Sequence, residues 1–597
     1  MKLKYILGII SMTLIVSCSK DFLQPESIST TDRNSIYSNI DDARKAVNAI
    51  YVSFSDGDGF RSRLSNNFTG NTDIEHQNGW EGQSGGRRPI WNLDATANNT
   101  DLIKMWTSAY QAINNSNNAI SGIINSGNLE GENAAVYNQL LGEAHTMRAY
   151  WYSMLIYYFG DVPYPTEPTT PESNFFLSKT NRNEILSNEI QALINVEANM
   201  LWADEVDYGI EQINRDYTLG MIARLALQRG GYYLKPNLTM VRDSDYLEYY
   251  EIAKTYTKKL IDLKDRTLPT DFRQIFMNQC KYIVGNYSNS DILFEVPYAS
   301  GEGDVGWNIG IDVEEVGATH QYGGGGNYMD MPETYYLSFD SEDKRRDVTC
   351  GLYEINTEGN PQFIDNNGIS QGKWSRHFTP TPLGKESSKG TGINWPMMRY
   401  SDILLMYAEA ENELNGPTAD AQEKLKRVRQ RAFDTPVDTY IASVSSSKEA
   451  FFDAIVDERA WEFGGEMIRK YELIRWGIYS DKMKETVEAL KQLADDAIAN
   501  TGTAPIKMYW KLDDSGNFII ANPDTRILAA PDDTWNEANF TSALLDDGAY
   551  HEWILNDWKN YYDGPQPGVA RYIFPIPNTV IIESQGALQN DGYGFNQ

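Results

Sequence analysis

The sequence is short of cysteine, histidine and basic residues. Three Cys in 597 residues exclude a disulfide framework. The five His (His76, His145, His320, His377 and His551) stand at no metal-ligand spacing, and no HExxH, GxSxG or P-loop motif occurs. Lys and Arg number 52 against 83 Asp and Glu, a formal charge of −31. A chain this acidic, with no long basic run, is repelled by phosphate backbones, so nucleic acid is excluded as a partner. The apolar stretch Tyr5–Ser17 holds thirteen residues, short of the ~20 that a membrane-spanning helix needs. What the chain does have is a globular balance, 41% hydrophobic and 23% charged, enough to bury a large core. It is also rich in rings, 37 Tyr, 14 Trp and 21 Phe, which build cores and also amphipathic binding surfaces.

The N-terminus reads as an export signal. Lys2 and Lys4 precede the apolar stretch, which ends in L-I-V-S-C, Leu14 to Cys18. A small residue before Cys at that point resembles a bacterial lipobox, which implies cleavage after residue 17 and lipid on the Cys18 sulfur. The 580-residue mature chain then carries a charge of −33. Lys20 and Asp21, just behind Cys18, resemble a surface-export signal. Cys280 and Cys350 are left either to pair or to stand as separate buried thiols.

Long periodic segments are helical, and no strand-rich block or βαβ alternation is evident. Val136, Leu140, Ala144, Met147, Trp151, Leu155 and Tyr158 form one face of a helix over Ala134–Phe159, closed by Gly160, Pro163 and Pro165. A helix over Met398–Leu414 stops at Gly416-Pro417, and Thr418 caps the next. Ser446 and Glu449 have capping-box spacing for a helix running to Phe463. Further helices are expected over Asp41–Ser53, Asp101–Asn125, Arg182–Trp202, Tyr217–Leu234, Asp245–Leu263 and Ser480–Ala499. Neighbouring pairs of this length predict a mainly α, tetratricopeptide-like helix-pair scaffold. Two irregular, ring-bearing stretches interrupt it. One is 68–99, with Trp80 and Trp91. The other is 280–395, where residues 301–330 hold nine Gly together with Trp307, Tyr322 and Tyr328. The part Thr501–Asn560 reads as polar and looped.

Four segments in order resemble one family: L-G-E-A-H-T-M-R-A-Y-W-Y-S-M-L-I-Y-Y-F-G-D-V-P-Y (Leu141–Tyr164); M-R-Y-S-D-I-L-L-M-Y-A-E-A-E-N-E (Met398–Glu413) with V-R-Q-R-A after it; I-V-D-E-R-A-W-E-F (Ile455–Phe463) with Y-E-L-I-R-W-G (Tyr471–Gly477); and F-P-I-P-N (Phe574–Asn578) with Q-N-D-G-Y near the end. With the lipobox and C-S-K-D-F-L, the chain resembles the SusD/RagB family of outer-membrane nutrient-binding lipoproteins. Glu466-Met467-Ile468-Arg469 departs from the family's shorter link. The resemblance implies a SusD-like helical fold with long irregular insertions. It divides the chain into a signal peptide (1–17), a lipid-anchored tether (18–37), an N-terminal half (38–279) carrying ligand-loop insertion 68–99, and a C-terminal half (280–597) carrying insertion 280–395. It implies a non-catalytic protein, lipid-anchored in the outer membrane and facing outside, that passes oligosaccharides to a TonB-dependent SusC-like transporter. Peptide capture is the alternative within the family, and a surface glycoside hydrolase the alternative outside it.

The charged motif residues Arg148, Asp161, Arg399, Asp402, Glu409, Arg459 and Arg475 are expected to form structural ion pairs and caps. Ligand contacts are expected from the insertions, because a flat ring covers the C–H face of a sugar while amides and carboxylates bond its hydroxyls. Trp80 and Trp307 are the expected stacking platforms, helped by Tyr322 and by Asn78 or Asp73. Trp106, Trp151, Trp202, Trp461 and Trp476 lie in helical patterns and are expected in the core. The net acidity favours neutral or weakly charged glycans except at a local basic patch such as Arg87-Arg88. No cofactor is expected, although Asp- and Asn-rich turns could hold Ca²⁺.

Overall fold

A computed structural model describes residues 33–65, 70–77, 86–314, 317–364, 368–385, 389–556, 558 and 571–595. The signal peptide, Cys18, Asn78 and Trp80 lie outside them. The expected tether gives way to structure before residue 38. Arg33–Ser38 is helical, and the Tyr37 ring is buried against Gly122, where any Cβ would collide with it.

Eleven helices form the frame. Each of the first six packs on the next: α1 (Ile40–Ser55), α2 (Thr100–Asn125), α3 (Ala134–Phe159), α4 (Arg182–Val196), α5 (Arg215–Gly230) and α6 (Tyr246–Lys264). The chain then leaves the frame and returns as α7 (Tyr400–Asn415), which packs on α6, α8 (Ala419–Ala432) and α9 (Lys448–Phe463). α10 (Arg469–Trp476) and α11 (Tyr479–Ala499) follow. One hydrophobic core runs from Tyr37 to Tyr593, so both halves share it.

The caps explain several boundaries. Gly160, at φ 71°, ends α3, because its carbonyl-satisfying turn needs a left-handed backbone. The Thr418 hydroxyl accepts from Ala421 N at the start of α8. The cap of α9 is Ser447, one residue later than the capping-box spacing suggests: its backbone is extended, and its hydroxyl accepts from Ala450 N at 3.1 Å. The single apolar face read for α3 is also too narrow. From Leu140 to Phe159 nearly every residue is buried, since α1, α2 and α4 enclose it. The helix expected over Tyr217–Leu234 ends at Gly230, and Tyr233–Leu234 becomes a strand.

Short strands anchor the insertions. β1 (His76–Gln77) pairs antiparallel with β3 (Met329–Asp330), and β2 (Ile292–Val296) pairs antiparallel with β4 (Trp395–Arg399). Every residue of β2 and β4 is buried, so residues 297–394 hang from the frame on a two-stranded neck. The part expected to be polar loop holds a three-stranded sheet of β5 (Lys507–Leu512), β6 (Phe518–Ile520) and β7 (Asn536–Asn539), in which Trp510 stacks on Phe518. Trp558 is fully buried there and donates to Thr72 O, while Trp553 stacks on His76.

The motif charges are structural. Arg148 pairs with Glu189, Arg459 with Asp402, and Arg475 with Glu409. Arg399 reaches Asp291, Glu462 and Glu466, and Asp161 accepts from Arg182 N at the start of α4. Cys280 and Cys350 are separate buried thiols, and burial pushes the Cys280 thiol up to about 12. Among the expected core tryptophans, Trp106, Trp151 and Trp476 are buried. Trp202 and Trp461 are half-buried, Trp202 beneath Arg215 and Trp461 donating to Ser338.

Candidate ligand-binding face

The base of the 297–394 insertion is closely packed although irregular. Trp374, fully buried, donates from Nε1 to Gln279 and packs on Phe276 and Trp395 of the neck. Ile311 N donates to Trp374 O, and a Cβ at Gly310 would stand 2.5 Å from that oxygen. The backbone thus passes where only glycine fits.

Trp307 sits on a tight turn built over this base. Its N–H and that of Asn308 both donate to Asp304 O, at 3.0 and 2.8 Å. Gly306, at φ 79°, makes the turn possible and donates to Ile309 O. Asn308 is wholly buried and accepts from Tyr328 N at 3.0 Å through its carbonyl. The Trp307 and Tyr328 rings consequently meet edge to face, centroids 5.6 Å apart at 63°, and both are half-buried. A half-exposed ring held in place by its backbone can cover the C–H face of a sugar.

Charges border these rings. Lys389 Nζ lies 4.2 Å from the Trp307 centroid, and the Arg87 guanidinium 5.2 Å from that of Tyr328. Arg61 pairs with Glu302 and approaches Asp304, and Arg63 approaches Asp101 at 3.6 Å. The two described flanks of segment 78–85 meet this face as well. Gln77 is the ladder partner of Met329, and Arg87 covers Tyr328.

The other expected contacts lie elsewhere. Tyr322 packs against His377, centroids 4.7 Å apart, and its N–H donates to His320 Nδ1. Burial pulls both imidazoles below the usual histidine range. This pair borders a separate cleft that His377 and Phe378 share with Tyr353 and Phe518. Asp73, expected to bond a sugar hydroxyl, is instead held by a two-pronged ion pair: Arg469 Nε at 2.9 Å and Nη2 at 2.6 Å. Its two oxygens serve α10. Lys389 is not legible as a neighbour of Trp307, since it is 82 positions away and no motif surrounds it. Among the described residues, no group of three or more His, Cys, Asp or Glu is arranged to hold a metal ion.

Stacked helix pairs that hold large irregular insertions on a narrow neck define a tetratricopeptide-like scaffold protein. The chain belongs to the SusD family: the family's sequence model matches residues 291–593, and a second, described as starch-binding associating with outer membrane, matches 21–221. It is 24% identical over 491 residues to SusD-like protein P2 of Formosa agariphila, covering 80% of this chain and 91% of that protein. A SusD homolog from Bacteroides thetaiotaomicron superposes with a TM-score of 0.68 at 21% identity, covering 77% of this chain and 91% of the other. Surface glycan-binding protein A of the same organism, solved in complex with laminarihexaose, gives 0.61 at 16% identity, with 92% and 99% covered. No helix among the described residues is long and apolar enough to cross a membrane.

Proposed function

We propose that this chain is a non-catalytic glycan-binding lipoprotein of the outer-membrane surface, which captures oligosaccharides and hands them to a TonB-dependent transporter. The observation that carries the reading is Trp307, an indole fixed on a glycine turn, braced by Tyr328 and presented on an insertion of a SusD-family frame. The laminarihexaose-bound relative supports a glycan as the ligand class. Trp80 supplies a second platform from the segment whose flanks adjoin Tyr328. Cys18 carries the lipid anchor, which places the frame at the membrane.

Affinity electrophoresis against a polysaccharide panel, followed by calorimetry, tests this. Trp307→Ala is expected to lose roughly 1–3 kcal/mol of binding, the scale of burying an aromatic side chain, and Trp80→Ala a similar amount. Wild-type affinity in both variants overturns the site. A shortened glycan after incubation with pure protein overturns the non-catalytic role. Binding of peptides and of no glycan transfers the proposal to peptide capture.

A further inference from the structure

The Trp307–Tyr328 face is a basic spot on a strongly acidic protein. Four cations line it: Arg61, Arg63, Arg87 and Lys389. Three carboxylates face them: Glu302 and Asp304 beside Arg61, and Asp101 beside Arg63. Arg87 and Lys389 stand outside these pairs. Among the described residues, neither has a carboxylate within ion-pair distance, and Arg87 donates only to the neutral Ser62 hydroxyl at 3.4 Å. Each lies instead against a ring, Lys389 on Trp307 and Arg87 on Tyr328.

Besides burial, Arg87 depresses the Lys389 ammonium, so the two like charges repel one another with no carboxylate at ion-pair distance among the described residues, in a chain that holds 83 acidic residues. The protonation balance agrees. Burial lowers Arg87 and nearby Arg63 lowers it further, against Asp101 and Asp304; burial, Arg87 and Arg63 lower Lys389, against Asp304. An anion between the two cations would relieve the repulsion. A guanidinium offers paired donors that match a carboxylate or sulfate, and an exposed lysine can swing its ammonium off the indole to meet the same group.

Building on the glycan reading, we propose that the ligand at this face is an anionic glycan, whose carboxylate or sulfate ester seats between Arg87 and Lys389 while a sugar ring covers Trp307. This narrows the ligand class away from the neutral glycans that net charge alone suggests. It needs no atom of the chain beyond these side chains.

The test uses matched polysaccharides: polygalacturonate against its methyl ester, and carrageenan against agarose, with laminarin and starch as further neutral probes. The mature protein is expected to bind at least one acidic member about tenfold more tightly than its neutral partner, and to lose that margin as salt rises. Preference within the first pair identifies a carboxylate, and within the second a sulfate. Arg87→Gln and Lys389→Gln, checked for unchanged melting temperature, should each lose about tenfold on the acidic probe and leave neutral probes unaffected. Equal binding of acidic and neutral partners, or wild-type behaviour of the doubly substituted protein, overturns the inference. If binding to neutral glycans then still depends on Trp307, the glycan reading stands without it. Failure to bind any of the six probes counts against both.

Discussion

Arg399 and Glu462 meet where neither side chain reaches solvent, with Nη1 2.6 Å from Oε1. Glu462 also receives Arg431 and, at 3.1 Å, Arg345. Arg399 also reaches Asp291 at 3.0 Å and Glu466 at 2.8 Å. Charges this deep persist because each has several partners. Arg399→Met strips three carboxylates of a common counter-charge, and should destabilise the protein by roughly 3–5 kcal/mol. The urea midpoint checks this, while glycan affinity of the folded fraction should not change.

Stability should peak in mildly acidic solution. Burial raises Glu75, Glu295 and Glu333 each to about 7. Their folded values exceed the unfolded ones, so their contribution is complete below about 4.5 and fades as pH rises through 7. Asp402, drawn to about 2 by Arg459 and Arg224 against the cost of its burial, has the opposite sign and loses its contribution as pH falls from about 4 to 2. Melting temperature should therefore be higher at pH 5 than at pH 7 and fall steeply below pH 4. Glu75→Gln should flatten the pH 5–7 slope, and a rising melting temperature between pH 5 and 7 in the unaltered protein would contradict the assignment.

Gly306 is expected to matter for binding more than for folding. Its φ of 79° and the 2.7 Å approach of a would-be Cβ to Ile393 Cδ1 strain any side chain there. Gly306→Ala should cost about 1–2 kcal/mol locally and tilt the turn that presents Trp307. Weaker glycan binding with the indole still present, measured by calorimetry beside a thermal melt, is the expected result. Unchanged affinity would show that the turn does not set the ring.

Attachment and orientation are separable. Cys18→Ala should move the protein from the membrane fraction to the soluble one, and protease added to intact cells should digest the unaltered protein. A tagged protein extracted in mild detergent should bring down a large β-barrel. Protection from protease would place the protein on the inner side, and repeated recovery without a barrel would remove the transporter partnership.

The frame was legible in the sequence because helix periodicity and caps are local. Ala134–Phe159 is bounded as its spacing and Gly160 imply. Pairings across the chain were not. Asp73 reads as a free loop carboxylate until Arg469, 396 positions away, closes on it. The link that departs from the family pattern proves to be a tie point. Gly465 N donates to Glu75, Glu466 serves Arg399 and Lys373, and Arg469 takes Asp73. The Thr501–Asn560 sheet was missed because its strands are short and half-exposed, so their alternation is weak. Trp307 stands out in the sequence as a ring in an irregular stretch, whereas the cations around it come from three separate stretches of chain.

The β2–β4 ladder has a consequence for the length of the insertion. Val296 and Trp395 are directly paired, so everything between them leaves and re-enters the frame at one point. Once two ends are pinned together, doubling the intervening chain costs only about 0.6 kcal/mol in closure entropy. This segment can therefore be lengthened, shortened or rewritten without touching Arg399, Asp291 or Glu462, which lie outside it in the arginine–carboxylate lattice.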